Sequence, residues 1–252
     1  MIREKTAAFI VIGNEILSGR TKDKNINFLT TKLTEIGVNV KEVAIIEDDE
    51  KKIIETVHRL KDNYDYIFTS GGIGPTHDDI TSASIAKALG VKLISDPRAV
   101  KILEDHYSGQ ELNEARLKMA IIPEGATLLN NPVSSAPGFK IQNIFVYAGV
   151  PVIMQAMLEA SMEYLEGGSK KLSRTVEIFL TESVIATEMS RIQDKYKDIE
   201  IGSYPFARDN RLGTAVVFRS INQDSIDLAL AEYVEHLQSK NSNIDTLNLN
   251  IM

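Results

Sequence analysis

The feature that most constrains the fold is the alternation of apolar, strand-like runs with amphipathic helices in the N-terminal part of the chain. Residues 6–12 (TAAFIVI) form a continuous apolar run that Gly13 ends, which is typical of a strand covered on both faces. In residues 25–36 the apolar side chains recur at helical spacing, and Gly37 follows as a stop. Similar strand–helix pairs follow, each of about 30 residues. This alternation predicts an α/β domain built on a parallel sheet with right-handed crossovers.

Glycines and polar side chains follow two of the predicted strands. Gly13-Asn14-Glu15 follows the first, and residues 70–81 (SGGIGPTHDDIT) follow the buried run at residues 66–69. Because parallel sheets bind ligands at the carboxyl ends of their strands, we expect both segments to border one site. Three glycines let the backbone turn tightly and bring its N–H groups to an anion, and the helix that begins near Thr81 adds its positive end.

Two acids lie next to this predicted anion site. Asp78 and Asp79 would repel a phosphate, so they indicate either a divalent cation that bridges them to the ligand or a general base. The alternative is that the glycine segment is only a turn and that one of these aspartates caps the next helix. Asn14 is suited to bind a base or ribose edge, and Glu15 to bind metal or accept a proton, although both residues also fit a plain polar loop.

Composition and charge exclude several classes of protein. The chain has no run of about 18 apolar residues, so no transmembrane helix is expected. It has no cysteine, which excludes disulfides and thiolate chemistry. The formal net charge of -7 argues against nucleic-acid partners, which require a basic surface. The N-terminal residues lack the apolar segment of a signal peptide, so we expect a cytoplasmic protein that does not bind membranes.

The glycine-rich residues 167–171 (GGSKK) are typical of a linker. We therefore expect a first domain over residues 1–167, a small α+β domain over residues 171–240, and a flexible tail over residues 241–252 that is rich in Asn and Ser. Within the first domain, residues 97–119 are predicted to be helical with one break.

Five motifs in the first 160 residues resemble those of a known family. They are Gly13-Asn14-Glu15-Ile16-Leu17-x-Gly19, Asp48-Asp49, Gly71-Gly72-Ile73-Gly74-Pro75-Thr76-x-Asp78-Asp79-x-Thr81, Ala136-Pro137-Gly138-Phe139 and Gly149-Val150-Pro151. Their order and spacing are similar to those of the molybdopterin-binding (MoaB/MogA) family, in its CinA-like branch. The resemblance implies a three-layer α/β domain with a parallel sheet. Residues 171–240 resemble the small KH-like domain that follows in CinA-like proteins.

The resemblance implies two alternative functions and an oligomeric protein. CinA-like members are linked to metal-dependent hydrolysis of nucleotide diphosphates such as ADP-ribose, which we take as the first hypothesis. Other members bind molybdopterin in molybdenum cofactor biosynthesis without hydrolysis, which is the second. A third hypothesis is an interaction module without enzymatic activity. The implied partners are a nucleotide or pterin ligand and further copies of the chain, and the implied cofactor is a divalent metal cation, with molybdopterin as a possible ligand.

The resemblance also assigns roles to individual residues. Asp79, Asp78 and Glu15 are implied to be catalytic, and Asp48, Asp78 and Asp79 to hold the metal. The implied substrate-binding residues are Asn14, Gly19, Asn25, Gly71, Gly72, Gly74, Thr76, Thr81, Ser135, Gly138, Gly149 and Pro151.

The chain departs from the family pattern at several positions. Ser134 and Ser135 replace a Gly-Thr pair, Ala148 replaces a proline, Ile153 replaces an acid, and Glu47 replaces a glycine that often precedes Asp48. If the missing acid helps to hold metal, we expect weak or altered hydrolysis, whereas ligand binding is expected to survive.

Overall fold

The computed structural model describes residues 4–240 and 246–250. The chain forms two compact units with a boundary after Ser169. No helix in the described ranges is long and apolar enough to cross a membrane.

The first unit alternates strands and helices as the sequence predicts. In chain order its first elements are β1 (Lys5–Ile12), α1 (Asn14–Leu17), α2 (Asn25–Glu35), β2 (Val38–Ile46), α3 (Glu50–Leu60), β3 (Tyr66–Ser70) and α4 (Thr81–Leu89). There follow β4 (Leu93–Ser95), α5 (Pro97–His106), α6 (Glu114–Lys118), β5 (Ile121–Pro123), β6 (Thr127–Leu129), β7 (Gly138–Ile141), β8 (Ile144–Tyr147), α7 (Pro151–Ser161) and a 3-10 turn (Met162–Tyr164).

The main sheet of this unit has the strand order β2-β1-β3-β8-β7-β6. The four strands β2, β1, β3 and β8 are parallel, which confirms the predicted parallel sheet. Strands β7 and β6 continue the sheet in antiparallel pairs. Only Gln142 and Asn143 separate β7 from β8, and such a short connection allows an antiparallel hairpin but no crossover.

Helices cover both faces of this sheet and give the expected three layers. On one face Ile10 of β1 packs with Val57 of α3 and Ile85 of α4. On the other face Phe9 of β1 packs with residues of α2 and α7, among them Leu29 and Met157. Neighbouring β1 residues therefore enter opposite cores, which explains why residues 6–12 are apolar without interruption.

The second unit is a small α+β domain, as predicted. Its elements are β9 (Leu172–Ile178), α8 (Glu182–Lys195), β10 (Glu200–Arg208), β11 (Arg211–Ser220), α9 (Gln223–Lys240) and β12 (Thr246–Asn250). The strands form a sheet of order β10-β11-β9-β12, in which every pair is antiparallel. Its core joins Ile185 and Ile192 of α8, Phe218 of β11 and Tyr233 of α9.

The structure differs from the predicted flexible tail in one stretch. Residues 246–250 form β12, which pairs with β9. The sequence of this stretch, TLNLN, alternates apolar and polar residues with the period of a strand. The other residues of the predicted tail, 241–245 and 251–252, lie outside the described residues.

Candidate functional site

A pocket of about 620 Å³ opens at the carboxyl ends of β1, β3 and β8 in the first unit. Ile12 ends β1, Gly71 follows β3, and Gly149 follows β8 at this edge. The two segments that the sequence analysis singles out, after β1 and after β3, therefore border the same pocket. Its size lies within the range of small-molecule sites.

The segment after β3 makes a turn that only glycine can form, and we call residues 71–74 the glycine turn. Gly71 and Gly72 have φ angles of 108° and 68°, which side chains rarely adopt. A Cβ atom on Gly71 would lie 2.1 Å from the Ile12 carbonyl oxygen, and one on Gly72 would lie 2.2 Å from the Thr81 Oγ1. Glycine is thus required here for both backbone angle and space.

Hydrogen bonds hold the glycine turn against its neighbours. The Gly71 N–H donates to the Tyr147 carbonyl over 3.1 Å, and the Thr81 N–H donates to the Gly72 carbonyl over 2.9 Å. The Thr81 hydroxyl donates to the Gly71 carbonyl over 2.9 Å, and Thr81 is completely buried. Thr81 therefore stabilises the backbone of the turn. The sequence predicts instead that Thr81 binds substrate.

The remaining amides of the turn are free to bind an anion. Among the described residues, no acceptor lies within hydrogen-bond distance of the N–H groups of Gly72, Ile73 and Gly74. All three residues line the pocket. Consecutive unpaired N–H groups in a tight turn form an anion-binding concavity.

Both aspartates after the turn contact the same threonine. The Thr76 Oγ1 lies 2.5 Å from the Asp78 Oδ1 and 2.6 Å from the Asp79 Oδ2, and the Thr76 N–H donates to the Asp79 Oδ2 over 2.7 Å. Thr76 is thus engaged with the two acids through its amide and its hydroxyl. This threonine orients the carboxylates, and its polar groups are not free for the phosphate contact that the sequence analysis expects.

The charge state of Asp78 follows from this contact. The hydrogen bond from the Thr76 hydroxyl is the main cause that lowers the pKa of Asp78, and a backbone hydrogen bond and the charge of Lys118 lower it further. The Lys118 ammonium donates to the Thr76 carbonyl oxygen. Asp78 is therefore a carboxylate at neutral pH.

The alternative that an aspartate caps the next helix is wrong. Helix α4 has Ile80 at its N-cap, and no side chain caps it. The Asp79 carboxylate instead binds the amide and the hydroxyl of Thr76, which lies before the helix. Asp78 and Asp79 both line the pocket.

Two further acids border the pocket from the other segments. Glu15 follows β1, and Asp48 follows β2. The Asp48 Oδ2 accepts a hydrogen bond of 2.8 Å from the Asn14 N–H, which connects the end of β2 to the start of α1. We call Glu15, Asp48, Asp78 and Asp79 the pocket acids. None of the four forms an ion pair within the described part of the chain.

The pocket acids fit a metal that the ligand helps to coordinate. In the ranges that the structure describes, no three His, Cys, Asp or Glu side chains are grouped so that they could hold a metal ion by themselves. Asp48, Asp78 and Asp79, which the resemblance implies as metal ligands, all line the pocket, and their role in holding a metal stays a prediction. Mg²⁺ usually takes only one or two carboxylates and completes its shell with water and substrate phosphates. Asp78 and Asp79, which converge on Thr76, supply that number.

The other predicted substrate-binding residues divide into two groups. Gly149 and Pro151 line the pocket. Asn25 does not line it; its side-chain amide donates to the Gly149 carbonyl over 2.9 Å and so supports the segment after β8. Also absent from the lining are Asn14, Gly19, Ser135 and Gly138.

One side of the pocket is not predicted from the sequence. Tyr107 and Met119 line it, and Lys118 contacts the loop at Thr76. These residues lie in or beside α5 and α6, far from the glycine turn in sequence. No local pattern marks them, because their place in the site depends on how α6 packs.

Fold and site together define an α/β protein with an anion-binding turn and acids at the carboxyl edge of a mainly parallel sheet. Residues 8–167 match the family model described as "probable molybdopterin binding domain", and residues 170–245 match the one described as "FAD synthase, middle domain". The chain belongs to the molybdopterin-binding-domain family and carries a CinA-like, MoaB/MogA-type domain. The resemblance of the second unit to a KH-like domain stays a prediction.

Individual relatives agree with this assignment. A protein of Archaeoglobus fulgidus is 32% identical over 92% of this chain and 97% of its own length. A protein of Pyrococcus furiosus is 32% identical over 93% of this chain and 96% of its own length. A structure of the protein CinA from Thermoplasma acidophilum, described as having unknown function, is 36% identical with a TM-score of 0.60, over 64% of this chain and 97% of that one.

Proposed function

We propose that the first unit binds a nucleotide-like diphosphate over the glycine turn and hydrolyses its pyrophosphate bond with the help of a divalent cation. One observation carries this proposal: three amides and four acids border the same pocket, and in the described part of the chain the amides donate no hydrogen bond and the acids form no ion pair. Amides alone would indicate an anion site, and acids alone a cation site. A phosphorylated ligand with its metal ion is the chemistry that needs both.

The glycine turn has the role of binding phosphate. The N–H groups of Gly72, Ile73 and Gly74 donate hydrogen bonds to phosphate oxygens, and the turn is held rigidly by Thr81. Because the turn is already formed, little ordering is needed when the ligand binds. The Asn25 side chain keeps the neighbouring Gly149 segment in place.

The acids have the roles of holding the cation and accepting a proton. Asp78 and Asp79 hold the ion, which when bound neutralises phosphate charge and polarises the phosphoryl group. Glu15 lines the same pocket and accepts the proton of the attacking water. A new P–O bond to that water forms as the bridging P–O bond breaks, so ADP-ribose would yield AMP and ribose 5-phosphate.

Incubation of the purified protein with ADP-ribose and Mg²⁺, Mn²⁺ or Co²⁺ tests this proposal. We expect release of AMP that depends on the metal and is lost in Asp79→Asn. Asp62→Asn, a change of an exposed aspartate outside the pocket, is the matched control and should retain activity. If no AMP appears with any of the metals, hydrolysis is excluded.

The second candidate is a protein that binds molybdopterin without hydrolysing it. Two observations favour it. The matching family is described as molybdopterin binding. In addition, Ile153 lines the pocket at a position where the resemblance implies an acid. The same turn would bind the ligand's phosphate. Calorimetry with molybdopterin tests this candidate, and absence of micromolar binding would count against it.

A further inference from the structure

The phosphate and metal contacts proposed above leave one wall of the pocket without an assigned role. Tyr107 and Met119 contribute to it from the ends of α5 and α6, and Val150 and Ile153 contribute from the segment after β8 and from α7. These side chains are aromatic or aliphatic. A diphosphate and its metal ion need no such surface, so the wall indicates a further, apolar part of the ligand.

Neighbouring side chains hold the Tyr107 ring in one orientation. The guanidinium carbon of Arg116 lies 3.9 Å from the ring centroid, which means that the planar cation covers one face of the ring. Arg116 in turn donates to the Glu111 carbonyl over 2.7 Å and to the Gln110 Oε1 over 3.1 Å. The His106 ring stands edge-on to the tyrosine, 4.7 Å away between centroids.

Tyr107 also lines the pocket, so part of its side chain is open to a ligand. Tyr107 is half-buried and also packs beside the small apolar cluster of Ala99, Leu103 and Ala120. A ring that is fixed before the ligand arrives loses little conformational freedom on binding. Aromatic rings held in this way stack on flat heterocycles of many kinds.

Lys118 connects this wall to the loop at Thr76, which follows the glycine turn. Its ammonium group donates to the Thr76 carbonyl, and Lys118 directly precedes Met119 of the wall. The spacing between the wall and the loop is thereby set by the protein itself. A ligand that reaches both the glycine turn and the wall would carry phosphate at one end and an apolar or aromatic group at the other.

We propose that Tyr107 determines specificity by stacking on the planar heterocycle of the phosphorylated ligand. This inference rests on the proposed function and adds to it a residue that determines specificity. The phenol hydroxyl is not required, because the contact is made by the ring.

Calorimetric titrations of three probes test this inference: ADP, a pterin monophosphate and inorganic pyrophosphate, each with Mg²⁺. The protein is used as wild type, Tyr107→Leu and Tyr107→Phe. Leucine keeps much of the apolar volume without the ring, and phenylalanine keeps the ring. Tyr164→Leu, at an exposed tyrosine outside the pocket, is the matched control.

We expect Tyr107→Leu to weaken binding of the tighter heterocyclic probe roughly tenfold, which is typical of the loss of one stacking contact. Pyrophosphate binding should stay unchanged, which also shows that the variant is folded. Tyr107→Phe and Tyr164→Leu should bind every probe like the wild type. Whether ADP or the pterin binds more tightly then identifies the heterocycle.

Two results would overturn the inference and leave the proposed function standing. In the first, the wild type binds pyrophosphate but binds neither heterocyclic probe more tightly. In the second, Tyr107→Leu weakens all three probes equally or none of them. If the wild type binds none of the probes, the proposed function itself is wrong, and the inference is overturned with it.

Discussion

The acids at the pocket of the first unit differ from the buried and clustered acids of the second unit in their ion pairs. In the second unit Glu232 accepts hydrogen bonds from Arg191, Lys195 and Tyr196, and the buried Glu188 is paired with Arg191 and contacts His236. In the first unit the four pocket acids form no ion pair among the described residues.

This difference indicates which acids are structural and which serve a ligand. Carboxylates whose charge is neutralised by the protein's own cations stabilise the fold that they belong to. Carboxylates that line an open pocket without such cations leave their charge for a cation from solution. The candidate site is thus marked by acids that lie without such cations at a pocket, and not by the number of acids.

The largest effect is expected from a change that removes one pocket acid. Asp79→Asn keeps an oxygen that can accept the Thr76 N–H bond, so the loop should stay folded. Loss of the charge should reduce AMP release roughly a hundredfold or more, since removal of one transition-state contact has effects of this size. A steady-state assay with ADP-ribose measures this effect. Wild-type activity in the variant would contradict the conclusion that the acids of the pocket serve a ligand.

A second test concerns the turn between the acids and the sheet. In Gly72→Ala the φ is 68° and the new Cβ atom lies 2.2 Å from the Thr81 Oγ1. In Gly90→Ala the φ is a similar 66°, but no neighbouring heavy atom of the described residues lies within 4 Å of the new Cβ atom. Gly90→Ala should cost about 1 kcal/mol of unfolding free energy from backbone strain alone. Gly72→Ala should cost about 3 kcal/mol, because strain and steric overlap add. Urea denaturation of both variants measures the difference, and equal costs would contradict the close packing of the turn.

The third prediction concerns the paired acids of the second unit. Hydrogen bonds from Lys195, Arg191 and Tyr196 lower the pKa of Glu232 from 4.5 to about 2. Because this pKa is lower in the folded state, the stabilisation is present above pH 4.5 and is lost as the pH falls towards 2. Glu232 is partly exposed, so we expect a contribution of about 1 kcal/mol.

Hydrogen exchange of the α8 and α9 amides between pH 5 and pH 2 measures this contribution. The wild type should lose more protection than Glu232→Gln, in which the contribution is already missing. Glu235→Gln changes an acid on the same helix that makes no ion pair with any described residue, and it should follow the wild type. Parallel loss in all three proteins would show that Glu232 has no structural role.

The smallest effect is expected from adding an acid to the pocket. Ile153 lines the pocket where the family pattern has an acid. Ile153→Glu should raise metal affinity and AMP release by roughly threefold, since one more carboxylate adds a modest favourable charge interaction. Ile153→Gln, which adds a polar group without charge, is the control. Equal behaviour of the two variants would show that the charge at this position is unimportant.

The sequence predicts those parts of the molecule in which a local pattern has a local cause. The uninterrupted apolar run of β1 follows from burial on both faces of the sheet. The glycines after β3 follow from backbone angles that other residues avoid. Both features can therefore be predicted from the sequence alone.

The parts that the sequence did not predict depend on tertiary packing. Thr81 looks like a ligand-binding residue in the sequence, yet it is buried under the turn and binds the Gly71 carbonyl. Lys118 reaches Thr76 across 42 residues of sequence, and no periodicity marks such a contact. Strands β6 and β7 have only 3 and 4 residues, which is too short for an alternating pattern to be recognised.

The central claim is that free amides and unpaired acids in one pocket bind a phosphate together with a cation. A crystal soaked with Mn²⁺ and a non-hydrolysable methylene analogue of ADP-ribose tests it most directly. We predict phosphate density within hydrogen-bond distance of the Gly72, Ile73 and Gly74 amides, and an anomalous manganese peak between that phosphate and the carboxylates of Asp78 and Asp79. A ligand bound away from the turn, or bound at the turn with no manganese at these carboxylates, would contradict the claim.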